Sequence, residues 1–327
     1  MQAIATVTAP FFALVLCGWL AAQRRMLPES AIPGLNAFVL FFALPCLLFR
    51  FGANTAVAQM FNLAMGGVYL LCALVMVGFT IAVTLGPALR LKDAAFGALV
   101  AAFPNTGFMG VPLLVALLGP AAAGPAICTI TADIIVTTTL CLALAEWRPA
   151  PAGQAGAVDH SAARRILRGV LSNPQPWAIA LGALSSFLGW RLAGPADAVV
   201  RMLADAASPV ALFTIGAVLW RGGQHAHSRT PPARYVPVAL LKLLLHPLLV
   251  LTVGTVARQL GAPLPAFALM VITLVAALPS ASNVAILAER YGADSGRIAR
   301  IILTSTVLAF GSFTAIAWWF GIEPAQG

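Results

Sequence analysis

Ten apolar stretches, most of them near 20 residues long, follow one another along the chain with only short polar or Gly/Pro punctuation between them. At 1.5 Å rise per residue, about 20 apolar residues cover about 30 Å of hydrocarbon. The approximate limits of the stretches are 6–22, 33–50, 62–87, 94–118, 121–146, 173–191, 199–220, 234–257, 264–288 and 297–320. Only 9% of the 327 residues are charged and 61% are hydrophobic. Soluble domains carry about 25% charged residues, so a water-soluble fold would lack polar surface. The expected class is an all-α polytopic membrane protein with ten transmembrane helices.

The net charge of +9 resembles a nucleic-acid signal until the basic residues are placed. Arg24, Arg25, Arg90, Lys92, Arg148, Arg164, Arg165, Arg168, Arg221, Arg229, Arg234, Arg290, Arg297 and Arg300 follow the odd-numbered spans. Only Arg50, Arg191, Arg201 and Arg258 fall on the other side. That asymmetry follows the positive-inside rule and calls for no nucleic-acid partner. It predicts an inner (plasma) membrane protein with both termini outside. The Ala/Gly/Pro-rich stretch 148–172 becomes a cytoplasmic linker between a first unit, 1–147, and a second, 173–327. Arg24 and Arg25 follow the first apolar stretch and no basic residue precedes it, so the expectation is an uncleaved helix. Cys17, Cys46, Cys72, Cys128 and Cys141 all lie in apolar stretches without metal-ligand spacing, as small core residues do.

The two halves correspond in order. Pro10-Phe11-Phe12-Ala13 answers Pro176-Trp177-Ala178, and Pro45 through Phe49 answers Pro209 through Phe213. Thr84, Gly86 and Arg90 answer Thr252, Gly254 and Arg258; Phe103-Pro104-Asn105 answers Leu278-Pro279-Ser280; Thr129 and Thr131 answer Thr304 and Thr306. Five spans is an odd number, so the second copy must run through the membrane inverted, as in secondary transporters.

The fourth and ninth spans each carry a proline-broken polar segment. In the fourth, Pro104 and Pro112 donate no backbone hydrogen bond and are expected to free the carbonyls of Val100 and Phe108. Such backbone survives at membrane depth only under protein or beside a water-lined cavity. Asn105 and Thr106 supply polar side chains there, and Gly107 and Gly110 allow close approach. Pro279, Ser280, Ser282 and Asn283 repeat the ingredients in the ninth span, with the asparagine delayed and Ser and Ala in place of glycine. Helix N-termini meeting at such a break favour an anion. The alternative is a pair of proline kinks satisfied by neighbouring helices. The candidate substrate-binding set is therefore Pro104, Asn105, Thr106, Gly107, Pro279, Ser280, Ser282 and Asn283.

Intramembrane charges are costly, and paired or functional when present. Asp133 in the fifth span and Lys242 in the eighth are expected to face one interior, either as a static pair or as carriers of a coupling proton. His246, one turn after Lys242, reads as a satisfied packing residue, Asp205 as a helix cap and Asn36 as a cross-helix bond. The patterns HExxH, GxSxG and the P-loop are missing, so neither an enzyme, a metal nor a cofactor is expected.

Several blocks together resemble the auxin efflux carrier family, in its bacterial malonate- and malate-permease branch. They are Leu35–Val39 leading to Ala43-Leu44-Pro45, the block Pro104–Leu113, Asn173-Pro174, Ser208–Gly216, Lys242 with Pro247, and Pro279–Asn283 running on to Ala288–Tyr291. The resemblance implies a bile-acid-symporter-like fold: two inverted five-helix repeats with broken helices 4 and 9 crossing. It implies elevator-type alternating access, with spans 1, 2, 6 and 7 as scaffold and the other six as the moving part. It also implies a small organic anion, a mono- or dicarboxylate, malonate-like or auxin-like, held near Asn105 and Pro279–Asn283. It leaves room for a homodimer through the scaffold helices. Two readings stand beside this one: a sodium- or proton-coupled symporter, and a membrane sensor that keeps the fold without transport.

Overall fold

The computed structural model describes residues 2–60, 62–87, 89–147, 172–224 and 230–322. Among these residues the regular structure is helical, with no strand. Seven helices are long and apolar enough to cross a bilayer. They are α1 (Gln2–Gln23), α2 (Glu29–Ala53), α3 (Leu63–Thr84), α6 (Pro120–Glu146), α8 (Gly194–Gln224), α9 (Val236–Gln259) and α12 (Ser295–Trp319). The chain is a multi-pass membrane protein.

Three of the ten expected spans take another form. The fourth is two helices, α4 (Leu91–Ala102) and α5 (Thr106–Leu118), and the ninth is α10 (Ala266–Ala277) and α11 (Val284–Arg290). The sixth, α7 (Pro174–Leu188), has 15 residues. Asn173 caps it by accepting from the Gln175 N–H at 3.0 Å, and Gly189, with φ of 64°, ends it. The expected linker, 148–172, falls almost wholly outside the described residues, and with it Arg148, Arg164, Arg165 and Arg168; Arg229 lies outside them as well.

The helices form two groups. α1 packs along α8, α7 along α2, and α2 on α8. In the second group α3 packs on α4, α6 and α9, α4 on α6, and α10 on α6 and α9. The groups meet where α5 and α12 lie against α1 and α8. Glycines set the closeness of the first group. A Cβ on Gly18 would lie 1.8 Å from the Phe213 carbonyl oxygen, and one on Gly216 would lie 1.9 Å from that of Val15. Gly182 meets the Phe49 carbonyl in the same way at 2.6 Å. Apolar side chains gain nothing by leaving lipid for one another, so such backbone proximity is how membrane helices gain dispersion energy.

Four helices contain one wide turn closed by i→i−5 bonds: Val39–Ala43, Thr106–Gly110, Asp133–Thr137 and Leu241–Leu245. Three end two residues before a proline, namely Pro45, Pro112 and Pro247. A proline ring clashes with the carbonyl four residues back, and the widened turn makes room for it. The turn Asp133–Thr137 has no proline to explain it.

Asp205 is not the expected cap. Pro195 seeds α8 earlier than the apolar count suggests, so Asp205 sits within the helix and pairs with Arg50 at 3.4 Å on an exposed face. Arg297, counted above among loop charges, is buried at the start of α12. Its Nε donates to the Arg234 carbonyl at 2.9 Å and its Nη1 to that of Asp93 at 3.0 Å.

Candidate binding site at the crossed helix breaks

α4 is buried on all sides from Ala94 to Ala102, and α10 from Val271 to Ala277. A helix apolar all round belongs inside a protein, and these two lead into the breaks. There the chains cross as a one-residue antiparallel bridge between Pro104 and Ser280. The Asn105 N–H donates to the Pro279 carbonyl at 2.8 Å, and the Ala281 N–H to that of Phe103 at 3.0 Å. Irregular backbone at this depth is thus satisfied by its counterpart.

The carbonyl that Pro104 was expected to free, that of Val100, accepts the Ser280 hydroxyl at 2.7 Å. Ser280 is therefore committed to holding the crossing. Its N–H donates to the Ser305 hydroxyl at 3.2 Å, which leaves the Ala276 carbonyl without its regular helix donor. Lys242 supplies one, its Nζ donating to Ala276 at 2.6 Å. Ser280→Ala should destabilise the protein by about 1–3 kcal/mol, since a buried carbonyl loses its partner. Thermal unfolding in detergent reads this out, and an unchanged midpoint would remove the bond from the account.

The bridge pairs the two breaks one residue out of step with the sequence match. Its hydrogen bonds set Pro104 opposite Ser280 and Asn105 in the same role as Ala281, whereas Pro104 had been matched to Pro279. The asparagines are thus two residues out of step across the crossing, where the sequence match had set them three apart. Asn105 sits at the crossing, and Asn283 lies two residues beyond it, just before α11.

A small cavity of about 20 Å³ adjoins the crossing, lined by Asn105, Gly107, Gln175, Ala281 and Asn283 with Leu44 among its apolar walls. That is room for a single water. Asn105 and Gln175 are 5% and 6% exposed, and neither side-chain amide bonds to another described residue. Their amide atoms are not among the fully buried side-chain groups that lack a partner, so they open onto this space. The N–H groups of Gly107 and Phe108, in the first turn of α5, likewise have no acceptor among the described residues. Thr106 is fully buried, its hydroxyl turned to the Pro104 carbonyl, and Ser282 is nearly so. A Cβ on Gly110 would meet Leu278 at 2.4 Å, so this glycine admits the second break. One on Gly107 would find only Leu44, at 3.6 Å.

Gln175 and Asn283 also line a larger cleft of about 540 Å³, together with Asn36, Asn173, Arg221 and Arg290. Sequence reasoning stopped at Asn173-Pro174 and missed Gln175. The signal was present: a cap followed by proline fixes a helix start, and the next residue is an amide in an otherwise apolar run.

Asp133 and Lys242 are both fully buried in the second helix group, but they do not form a direct ion pair. The Tyr69 hydroxyl donates to Asp133 Oδ2 at 2.7 Å, and the Thr137 hydroxyl to Oδ1 at 3.0 Å. Lys242 Nζ lies 3.2 Å from His246 Nδ1. The ring of Tyr69, which bonds Asp133, lies 5.9 Å from that of His246, which meets Lys242. His246 is not the satisfied residue expected, because its Nε2 is buried without a partner.

An all-helical, multi-span architecture enclosing an amide-lined polar break defines a membrane protein built around a buried polar site. The chain belongs to the membrane transport protein family, whose model matches residues 3–317, in keeping with the resemblance to the auxin efflux carriers. It is 28% identical to the "Putative malonate transporter" of Rhizobium meliloti (strain 1021), over 97% of this chain and 96% of that one. It is 27% identical to the "Uncharacterized transporter YfdV" of Escherichia coli (strain K12), over 94% of each chain. An "Uncharacterized transporter" of Methanothermobacter thermautotrophicus is 26% identical over 91% of this chain and 92% of its own length. Family and relatives are transporters, which points away from an enzyme.

Proposed function

We propose that this protein is a secondary carrier of a small carboxylate, malonate-like in size and charge, which binds at the crossed breaks. The observation that carries the reading is the pair of amides, Asn105 and Gln175, that line the cavity at an interrupted helix pair without bonding to another described residue. Free N–H groups of Gly107 and Phe108 add the donors and partial positive charge that an anion needs in a low-dielectric site. The name of the Rhizobium relative agrees with a short dicarboxylate. Of the candidate residues, Pro104, Asn105, Gly107 and Asn283 line the small cavity, and Ser282 lies between Ala281 and Asn283 without lining it. Pro104, Thr106, Pro279 and Ser280 build the crossing.

In this reading the α4–α5 and α10–α11 pairs each cross the bilayer as one broken span, and α7 crosses as a short one. The total is ten spans in two inverted repeats. Two regularities support the repeat. Gly18 and Gly182 are as far apart in the chain as Gly52 and Gly216, and the close contacts are Gly18 with α8 and Gly182 with α2. Likewise Val100 and Ala276, the two carbonyls that lose their helix donors, are as far apart as Pro104 and Ser280.

The first helix group serves as scaffold and the second moves, an elevator in which the breaks carry the anion past Gln175. The 20 Å³ cavity is the site in its collapsed form, and the 540 Å³ cleft is the approach from the side rich in Arg221 and Arg290. By the charge asymmetry of the loops, that side is cytoplasmic in an inner membrane.

Malonate exchange across proteoliposomes tests the assignment; vesicles that bind malonate but do not exchange it would contradict it. Gln175→Leu should weaken malonate by about tenfold or more, the worth of a lost hydrogen bond to a charged group. The concentration dependence of exchange would report this, and an unaltered half-saturation would take Gln175 out of the site.

A further inference from the structure

The second buried polar cluster, on α3, α6 and α9, plays no part in the anion site. We propose that it is the proton-coupling site of the carrier, with one proton held on Lys242 accompanying each anion; this rests on the transport reading above.

The Ala276 carbonyl would accept from the Ser280 N–H if α10 continued, but that N–H goes to Ser305. Lys242 takes its place at 2.6 Å. At the matching point of the first break, the Val100 carbonyl is held by a neutral serine hydroxyl. Of two equivalent carbonyls, one therefore has a cap that never changes charge and the other a cap that can. A cation at the C-terminal end of α10 is also favoured by the helix dipole.

Asp133 provides the matching negative group. It is held by Tyr69 and Thr137, inside the wide turn that no proline explains. Wide turns of this kind recur at functional sites. With its proton on Lys242 the cluster is neutral overall; without it the cluster carries one negative charge, which opposes an anion at the neighbouring break. Binding of the anion and of the proton thus favour each other.

His246 makes the proton mobile. An ammonium on Lys242 requires His246 Nδ1 to accept, which places the ring proton on Nε2, the atom that has no partner. A neutral Lys242 amine can instead accept from Nδ1–H. Both charged groups are 0% exposed, so a proton held there is sealed from solvent in this arrangement.

The other titratable groups on the surrounding helices do not compete. α3 adds Cys72, α6 adds Cys128 and Cys141, and α10 carries none. Lys92 and Asp93 of α4, Glu146 of α6, and Arg297 and Arg300 of α12 are engaged at the helix ends, through contacts such as Lys92 with Tyr291 and Asp93 with Asp294. Arg258 is on the last turn of α9, well beyond His246.

The test uses the full chain in liposomes with the membrane potential clamped at zero. Malonate exchange at equal pH reads transport alone. Net malonate accumulation with the outside one pH unit more acid than the inside reads coupling, and one proton per anion corresponds to about tenfold. The ratio of gradient-driven to exchange uptake should fall to that of equal pH in Lys242→Met. It should fall at least severalfold in Tyr69→Phe, which keeps every charge and safeguards against a misfolded Met variant. Wild-type exchange that ignores the gradient would overturn the proton site and leave the carrier reading intact. Full drive in Lys242→Met would remove the proton from Lys242. No exchange of malonate or other short carboxylates would overturn both readings.

Discussion

Asn105→Ala is expected to reduce malonate exchange by about tenfold or more while leaving the protein as stable as the parent. The two halves of this result rest on different atoms of one residue. The backbone of Asn105 holds the crossing. Its N–H donates to Pro279, and its carbonyl accepts from Met109 and Gly110 at 3.2 and 3.0 Å. Alanine keeps all three bonds. The side-chain amide lines the cavity and bonds to no described residue, so removing it orphans nothing. The bound anion loses a hydrogen bond to a charged acceptor, worth about 1.5–3 kcal/mol. Exchange rates in proteoliposomes and thermal midpoints in detergent separate the two halves. Unchanged exchange would refute a binding role for Asn105. A large fall in midpoint would show that the amide has a structural duty instead. Asn283→Ala should cost less, because Asn283 is half-exposed and lies off the crossing on the cleft side.

The sequence made the helical, membrane-spanning class and the places of the two breaks legible, because apolar length and proline are local properties. Pro104 must leave the Val100 carbonyl without a helix donor wherever the chain goes. What takes that carbonyl is not local. Ser280 lies in the other half, and its hydroxyl had been assigned to a ligand rather than to Val100. The register of the crossing was hidden for the same reason, since a repeat of polar residue types aligns prolines while the bridge aligns hydrogen bonds. Asp133 and Lys242 were recognisable as two charges in apolar runs, but their partners Tyr69 and His246 follow from how α3 meets α6 and α9. Gln175 was overlooked because an amide at a helix start reads as boundary until the opposing helix is known to bury it. Pro195 moved the start of α8 back and turned an expected cap, Asp205, into a surface partner of Arg50.

Glycine-to-alanine substitutions along α1 and α8 should produce the largest losses of stability in the molecule. An added Cβ at Gly18 or Gly216 falls under 2 Å from a backbone carbonyl oxygen of the facing helix. Backbone cannot rotate aside as a side chain does, so the helices must separate. The cost should reach or exceed about 3 kcal/mol, the upper end for overpacking, or a fall of about 4 °C or more in thermal midpoint for a chain of this length. Gly182→Ala should follow, with 2.6 Å to the Phe49 carbonyl, and Gly52→Ala should be mildest, with 3.2 Å to its nearest neighbour. Gly67→Ala and Gly78→Ala within α3 meet nothing within 4 Å and should be neutral or slightly stabilising. A double substitution makes the test sharper. Once Gly18→Ala has pushed α1 from α8, the space that Gly216→Ala needs is already open, so the pair should cost much less than the two added together. Additive losses would mean that the two glycines act at separate contacts, and that α1 and α8 do not meet through one shared seam.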